Sequence, residues 1–264
     1  MSETLHTVLL GIIEGITEFL PISSTGHLLI AEQFLGARSE LFNVGIQAGA
    51  ILAIVLIYQR RLLQLLLHTR EPQNRDYLAK LTVSVLITLV LGFIATRLGF
   101  KLPETVVPVA IALLVGGVAI LVIEQYVAPR PKSATVSWSV AIWVGLCQIL
   151  AAIFPGTSRS AATIFAAMLA GLTLRPAATE FAFLVGIPVM FAATAYELLK
   201  VRHEAGAENW SALAVGFVVS GIVAFISVKW LLRYVQSHRF TIFAWYRIVL
   251  GGALLVLAHQ GIVS

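Results

Sequence analysis

The chain alternates long apolar runs with short polar connections. Six runs, at about 41–59, 80–98, 105–125, 176–198, 210–231 and 242–261, approach the roughly 20 apolar residues that an α-helix needs to cross a bilayer. They predict six transmembrane helices. Two further regions break the pattern. Residues 5–20 and 28–36 are helical in composition, but polar residues 23–27 interrupt them and the second piece is too short to cross. Residues 138–154 and 159–172 repeat that layout, with Pro155-Gly156-Thr157-Ser158-Arg159-Ser160 at the break. Non-helical backbone is tolerated at membrane depth only where protein or a wet cavity covers it. Both regions therefore read as re-entrant helical hairpins, 5–36 and 138–172.

The hairpins also resemble each other. A shift of 134 residues aligns Gly11 with Gly145, Glu14 with Gln148, Pro21 with Pro155, Ser23 with Thr157 and Ser24 with Ser158. Residues 1–125 and 137–264 are expected to form an inverted repeat within a single membrane domain, with the broken helices meeting near the midplane. Chance alignment of two Pro/Ser-rich breaks is the other reading.

Composition fixes the class. The chain is 59% hydrophobic and 12% charged, with a mean hydropathy of +0.92, against about 25% charge in soluble domains. The fold class is an all-α polytopic membrane protein. The net charge of +5 does not indicate nucleic acid, because the basic residues lie mostly in short connections; there they orient a membrane protein. Arg60, Arg61, Arg70, Arg75, Lys80, Arg130, Lys132, Arg175, Lys229, Arg233 and Arg239 fall on one face; Arg38, Arg97, Lys101, Lys200 and Arg202 fall on the other. Eleven against five places the first set in the cytoplasm and both termini outside. The single cysteine, Cys147, excludes an internal disulfide and reads as a packing residue. No cleavable signal peptide is expected, because the first apolar segment carries Glu3, Glu14 and Glu18 without a basic leader.

A charged side chain in hydrocarbon costs about 2.5–3.5 kcal/mol, so intramembrane charge marks candidate chemistry. Glu14 and Glu18 stand one turn apart in Glu14-Gly-Ile-Thr-Glu18-Phe-Leu-Pro21-Ile-Ser23-Ser24-Thr25-Gly26-His27. That spacing puts both carboxylates on one helix face, about 5–6 Å apart at Cβ. A hard divalent cation, Mg²⁺ or Ca²⁺, resolves their repulsion and suits carboxylate and phosphate oxygens. A protonated carboxyl pair and a proton relay are the other readings. Ser23, Ser24, Thr25 and Gly26 offer hydroxyls and backbone amides at a helix start, where anions are held; the same run also serves as an ordinary N-cap. His27 is suited to move a proton near neutral pH.

In the second break Arg159 cannot shed its charge and needs an anion. Its partner is either Glu14, Glu18 or Glu180 in a structural bridge, or a phosphate flanked by Ser158 and Ser160. Thr163, one turn on, adds a hydroxyl, and Gln148 is a neutral counterpart of Glu14. Glu180 and Arg247 are expected to pair outside the chemistry or to snorkel. Together the breaks hold what phosphoryl transfer needs, positioning and charge neutralisation. There is no Gly-x4-Gly-Lys-Ser/Thr motif, so the substrate is expected to arrive through the lipid on its own apolar tail.

The two motifs, Glu14 to His27 and Pro155 to Ser160, resemble the signatures of the undecaprenyl-diphosphate phosphatase family, the bacitracin-resistance proteins. The likeness covers essentially the full chain, including Glu180-Phe-Ala-Phe-Leu. It implies a membrane enzyme that removes the terminal phosphate of undecaprenyl diphosphate and regenerates the carrier for cell-wall synthesis. It also implies a divalent cation and action at the outer face of the bacterial inner membrane. By resemblance, Glu14 and Glu18 bind metal, and Arg159 holds the diphosphate with Ser158 and Thr163. Ser24 is the nucleophile with His27 assisting, or else water attacks and Ser24 only binds. A lipid-phosphate or ion transporter on the same repeat is the rival outside enzymology. The type 2 phosphatidic acid phosphatase superfamily is excluded: it needs a His and an Asp downstream of its Ser-Arg, and the next histidine here is His203. Formation of a homodimer is left open.

Overall fold

The computed structural model describes residues 3–100, 105–201 and 209–263. Lys101, Arg202 and His203 therefore lie outside the described residues. The helices are α1 (Glu3–Thr17), α2 (Ser24–Leu35), α3 (Glu40–Ile57), α4 (Gln59–Leu67), α5 (Pro72–Arg97) and α6 (Val106–Val127). After them come α7 (Trp138–Ile153), α8 (Arg159–Leu169), α9 (Arg175–Val201), α10 (Trp210–Ser237) and α11 (Thr241–His259). No strand occurs among the described residues.

Six helices are long and apolar enough to cross a membrane: α3, α5, α6, α9, α10 and α11. They carry the six predicted runs. The boundaries differ where polar residues are helical. α5 begins at Pro72, not near 80, because Pro at N1 presets the helical φ. Lys80 then pairs with Asp76 one turn back at 2.5 Å. The connection expected at 60–80 is instead filled by α4 and this first part of α5. α4 mixes Arg60, Arg61 and Gln64 with exposed Leu63, Leu66 and Leu67, too short and too polar to register as a span. On the spans, apolar side chains face outward in helical rows. Leu86, Val90 and Phe93 of α5 and Val218, Ile222 and Ile226 of α10 are each more than half exposed. Such rows are a liability in water and suit lipid.

The helices close on one another through small residues, as expected where apolar burial cannot drive association. A Cβ added at Gly15 would lie 2.6 Å from the Ser220 carbonyl of α10, and one at Gly11 2.9 Å from that of Gly216. A Cβ at Gly145 of α7 would lie 2.7 Å from the Ser84 carbonyl of α5, where Thr88 Oγ1 also donates to the Gly145 carbonyl at 3.0 Å. Gly11 and Gly145, aligned by the shift of 134, thus hold α1 on α10 and α7 on α5 in the same way. Each broken unit also folds back on itself, α1 against α2 and α7 against α8.

The two ends of the bundle gather the expected connections. At one end Arg61 pairs with Glu180 at 3.2 Å, Thr173 accepts from the Ser133 amide at 2.8 Å, and Arg175 pairs with the buried Glu124. At the other, Glu3 meets Arg38 at 3.3 Å and Asn209 at 3.4 Å, and Glu40 meets Lys200 at 3.2 Å. Cys147 packs half-buried against the core, as its apolar setting implied.

Gly49 and Gly92 test the packing. Gly49→Leu, whose Cβ alone would overlap the Phe217 carbonyl, is expected to destabilise by about 2 kcal/mol or more. Gly92→Ala, facing open space, is expected to stay within about 0.5 kcal/mol of the parent. Thermal unfolding in detergent micelles reads both.

Candidate active site

α1 ends at Thr17, and the chain turns through residues 18–23, with Pro21 among them, into α2. Ser23 has φ 74° and ψ 101°, and its hydroxyl caps α2 by accepting from the Gly26 amide at 3.4 Å. Ser158 has φ 66° and ψ 109°, and its hydroxyl caps α8 by accepting from the Ala161 amide at 3.3 Å. Among the described residues these are the only non-glycine residues at positive φ. Such backbone costs about 1–3 kcal/mol and persists where surroundings over-determine it. The two breaks therefore share a fold, with a correction of one residue: Ser23 corresponds to Ser158, whereas the sequence shift paired it with Thr157. The polypeptide gains one residue between the prolines and the caps.

Side chains join the breaks. The buried Glu18 carboxylate accepts from Ser24 Oγ at 2.5 Å and forms an ion pair with Arg159 of the second break. Ser160 Oγ donates to the Leu20 carbonyl at 3.0 Å, and the Ser158 and Ser160 hydroxyls are 3.0 Å apart. Arg247 of α11 completes the joint. It is fully buried and donates to the carbonyls of Pro21 (3.2 Å), Gly156 (3.2 Å), Thr157 (3.1 Å), Ala112 (2.9 Å) and Leu113 (3.4 Å). The expectation that Arg247 snorkels or pairs with an acid is thus overturned. Broken helices leave carbonyl oxygens without helical partners, and Arg247 collects those of Pro21, Gly156 and Thr157 while anchoring on two carbonyls of α6. Sequence marks it only as an arginine in an apolar run.

Of the predicted residues, Glu18, Ser24, Ser158, Arg159 and Ser160 come together. Thr163 lies beside them on the same cavity, its hydroxyl turned back to the Arg159 carbonyl at 2.8 Å. Gly26 packs against Val109, and Thr25 is half-buried. His27 stands apart from Ser24: Nδ1 bonds the Ser23 carbonyl at 2.7 Å and Nε2 bonds the Tyr246 hydroxyl at 2.6 Å. Tyr246 had no signal in the sequence. Glu180 does not reach Arg159; it sits at the bundle end with Arg61. Arg159 therefore resolves its open partner to Glu18.

Glu14 is completely buried, near enough to Arg159 for their charges to interact, and neither carboxylate oxygen has a hydrogen-bond partner among the described residues. Gln148, its counterpart by the shift of 134, is buried with both amide atoms equally unpartnered. Buried polar atoms left so are costly and single out a place where something else binds. Among the described residues no three His, Cys, Asp or Glu side chains gather as a metal site. A cation would draw on the two carboxylates and on substrate oxygens, and the unpartnered Glu14 carboxylate fits that donor set.

The cavity is lined by the polar Glu18, Gln148, Arg159, Ser160 and Thr163 together with Phe19, Ala182, Phe183, Gly186 and Met190. It holds only about 10 Å³, room for one water molecule. The lining combines polar and apolar side chains, as an amphiphile requires.

Comparison with known proteins agrees with that chemistry. Residues 7–253 match the family described as bacitracin resistance protein BacA. The chain belongs to this family. It is 60% identical over 262 residues to the undecaprenyl-diphosphatase of Rhizobium etli, covering 98% of this chain and 99% of that protein. It is 57% identical over 258 residues to the undecaprenyl-diphosphatase of Xanthomonas oryzae pv. oryzae, covering 97% of each.

The two serine caps give a signed test. Ser158→Ala and Ser23→Ala lose the cap and keep the strain, and each is expected to cost about 1 kcal/mol. Ser158→Gly and Ser23→Gly lose the cap at a cost of a few tenths but relieve the positive φ. The glycine variants should therefore melt above the alanine variants in detergent, and the reverse order contradicts the backbone assignment.

Proposed function

We propose that this BacA-family chain is an undecaprenyl-diphosphatase. It hydrolyses undecaprenyl diphosphate to undecaprenyl phosphate and inorganic phosphate, recycling the carrier for cell-wall synthesis and conferring bacitracin resistance. The full-length relatives carry that name, and one observation ties it to this chain's own residues. Glu18 joins a serine hydroxyl of the first break to an arginine of the second.

The geometry supports the following sequence. The diphosphate displaces Glu18 from Arg159, whose fork then grips phosphate oxygens with the Ser158, Ser160 and Thr163 hydroxyls beside it. Ser23, Thr25 and Gly26 at the start of α2 add hydroxyl and amide donors to the same anion once the Gly26 amide leaves its cap bond to the Ser23 hydroxyl. Ser24 Oγ, its proton accepted by Glu18, attacks the terminal phosphorus. A Ser24–phosphate ester forms as the bridging P–O bond breaks, and undecaprenyl phosphate leaves with the electron pair. Water then cleaves the ester, releasing phosphate and restoring Ser24. Glu14 and Glu18 would hold a divalent cation, Mg²⁺ or Ca²⁺, which would neutralise phosphate charge. The prenyl tail leaves along Phe19, Phe183 and Met190 toward lipid.

The chain sits in the bacterial inner membrane as two inverted repeats, 1–125 and 137–264, with α1–α2 and α7–α8 as re-entrant hairpins. The basic bundle end faces the cytoplasm and the active site opens to the periplasm. The shared glycine contacts and the two capped serines support the repeat.

Phosphate release from a polyprenyl diphosphate by purified protein tests the function. Parent protein is expected to require Mg²⁺ or Ca²⁺ and to lose activity on chelation. Glu18→Gln and Arg159→Ala are each expected to fall by at least about a hundredfold. Rapid quenching is expected to trap phosphate on Ser24. Substrate movement across vesicles without phosphate release would instead identify a transporter.

A further inference from the structure

His27 carries the only imidazole at the two breaks, and its contacts differ from those of a free base. The Ser23 carbonyl can only accept, so Nδ1 carries the proton in its 2.7 Å bond. In the neutral ring Nε2 then accepts, and the Tyr246 hydroxyl donates to it at 2.6 Å. The rings are also stacked, centroids 5.6 Å apart and planes within 6°. Orientation and tautomer are both fixed, and no nitrogen is left facing Ser24.

What His27 grips is the carbonyl of the strained residue that precedes Ser24. The second break shows what happens without an imidazole. There Ala162 occupies the corresponding position, and its amide alone reaches the Ser158 carbonyl at 3.0 Å. In the first break the equivalent amide bond, from His27 N to the Ser23 carbonyl, stretches to 3.4 Å, and the ring supplies the shorter contact.

We propose that Tyr246 is a positioning residue for His27, and that the pair pins the Ser23 backbone so that the Ser24 hydroxyl meets Glu18. The phenol holds the imidazole, the imidazole holds the Ser23 carbonyl, and that peptide sets where Ser24 Oγ lies. His27 thereby serves as a clamp rather than as the proton acceptor of Ser24. Neighbouring Arg247 grips the Pro21 carbonyl, so α11 holds the first break on both sides of Ile22. This inference rests on the phosphatase reading only for its kinetic consequences; the tautomer does not depend on turnover.

Two measurements test it. In ¹⁵N-histidine spectra of detergent-solubilised protein, with His27 assigned by its loss in His27→Asn, the parent is expected to show the Nδ1–H tautomer. Tyr246→Phe, which keeps the ring stack, should show mixed tautomers. A parent ring in the Nε2–H form, or a Tyr246→Phe spectrum identical to the parent's, overturns the proposal whether or not phosphate is released. In phosphate-release assays Tyr246→Phe is expected to lower kcat about three- to tenfold with KM unchanged, the range for one neutral hydrogen bond. Asn places an amide nitrogen where Nδ1 stood, whereas Gln reaches only toward Nε2. His27→Asn should therefore keep kcat within about tenfold of the parent, while His27→Gln and His27→Ala, which let Ser24 shift, fall by about a hundredfold. His27→Asn as inactive as His27→Ala, in protein that melts like the parent, makes His27 a proton carrier and sinks the clamp.

Discussion

Arg247 brings a full positive charge to a buried position where no carboxylate meets it among the described residues. A lone buried charge is among the most costly features a fold can carry. Here it is met by the carbonyl dipoles of Pro21, Gly156 and Thr157, together with Ala112 and Leu113 of α6. The oxygens of Pro21, Gly156 and Thr157 are available because two helices are interrupted, whereas Ala112 and Leu113 belong to the continuous α6. Breaks and arginine are thus mutually dependent: each would be an unsatisfied polar site without the other. A salt bridge in this position would have cancelled the charge, whereas carbonyl dipoles leave an electropositive centre between the two breaks. That is the field a diphosphate needs.

The rest of the site follows from the register that this joint sets. With the breaks held together, Glu18 of one reaches Arg159 of the other, and Ser160 reaches the Leu20 carbonyl. The cavity left between them has space for little more than a water molecule. Glu18 occupies the guanidinium of Arg159, so under the proposed mechanism binding the diphosphate exchanges one anionic partner of Arg159 for another. Beside this pair, the Glu14 and Gln148 side chains have no hydrogen-bond partner among the described residues.

Much of this was legible in the sequence. The six spans announced themselves because about 20 apolar residues have few soluble explanations, and the two breaks because Pro21 and Pro155 interrupt otherwise helical runs. Glu14, Glu18, Ser24, Ser158, Arg159 and Ser160 stood out as polar groups in the wrong solvent. What stayed hidden depends on distance across the fold. Arg247 lies 226 residues from Pro21, whose carbonyl it holds, and nothing local to α11 names that partner. Tyr246 looks like any interfacial tyrosine until His27 is placed against it. α4 escaped notice because it is only nine residues long and opens with Gln-Arg-Arg, which reads as a polar connection. The pairing of Ser23 with Thr157 failed by one residue because a sequence shift cannot see a positive φ.

The central claim is that one side chain holds both breaks. Hydrogen exchange measured by mass spectrometry on the detergent-solubilised parent and on Arg247→Lys tests it directly, since lysine keeps the charge but cannot span five carbonyls. The account predicts faster exchange at residues 21–27 and at 156–162 together, with α5 unchanged as the internal control. Acceleration at one break alone, or at neither, would contradict it.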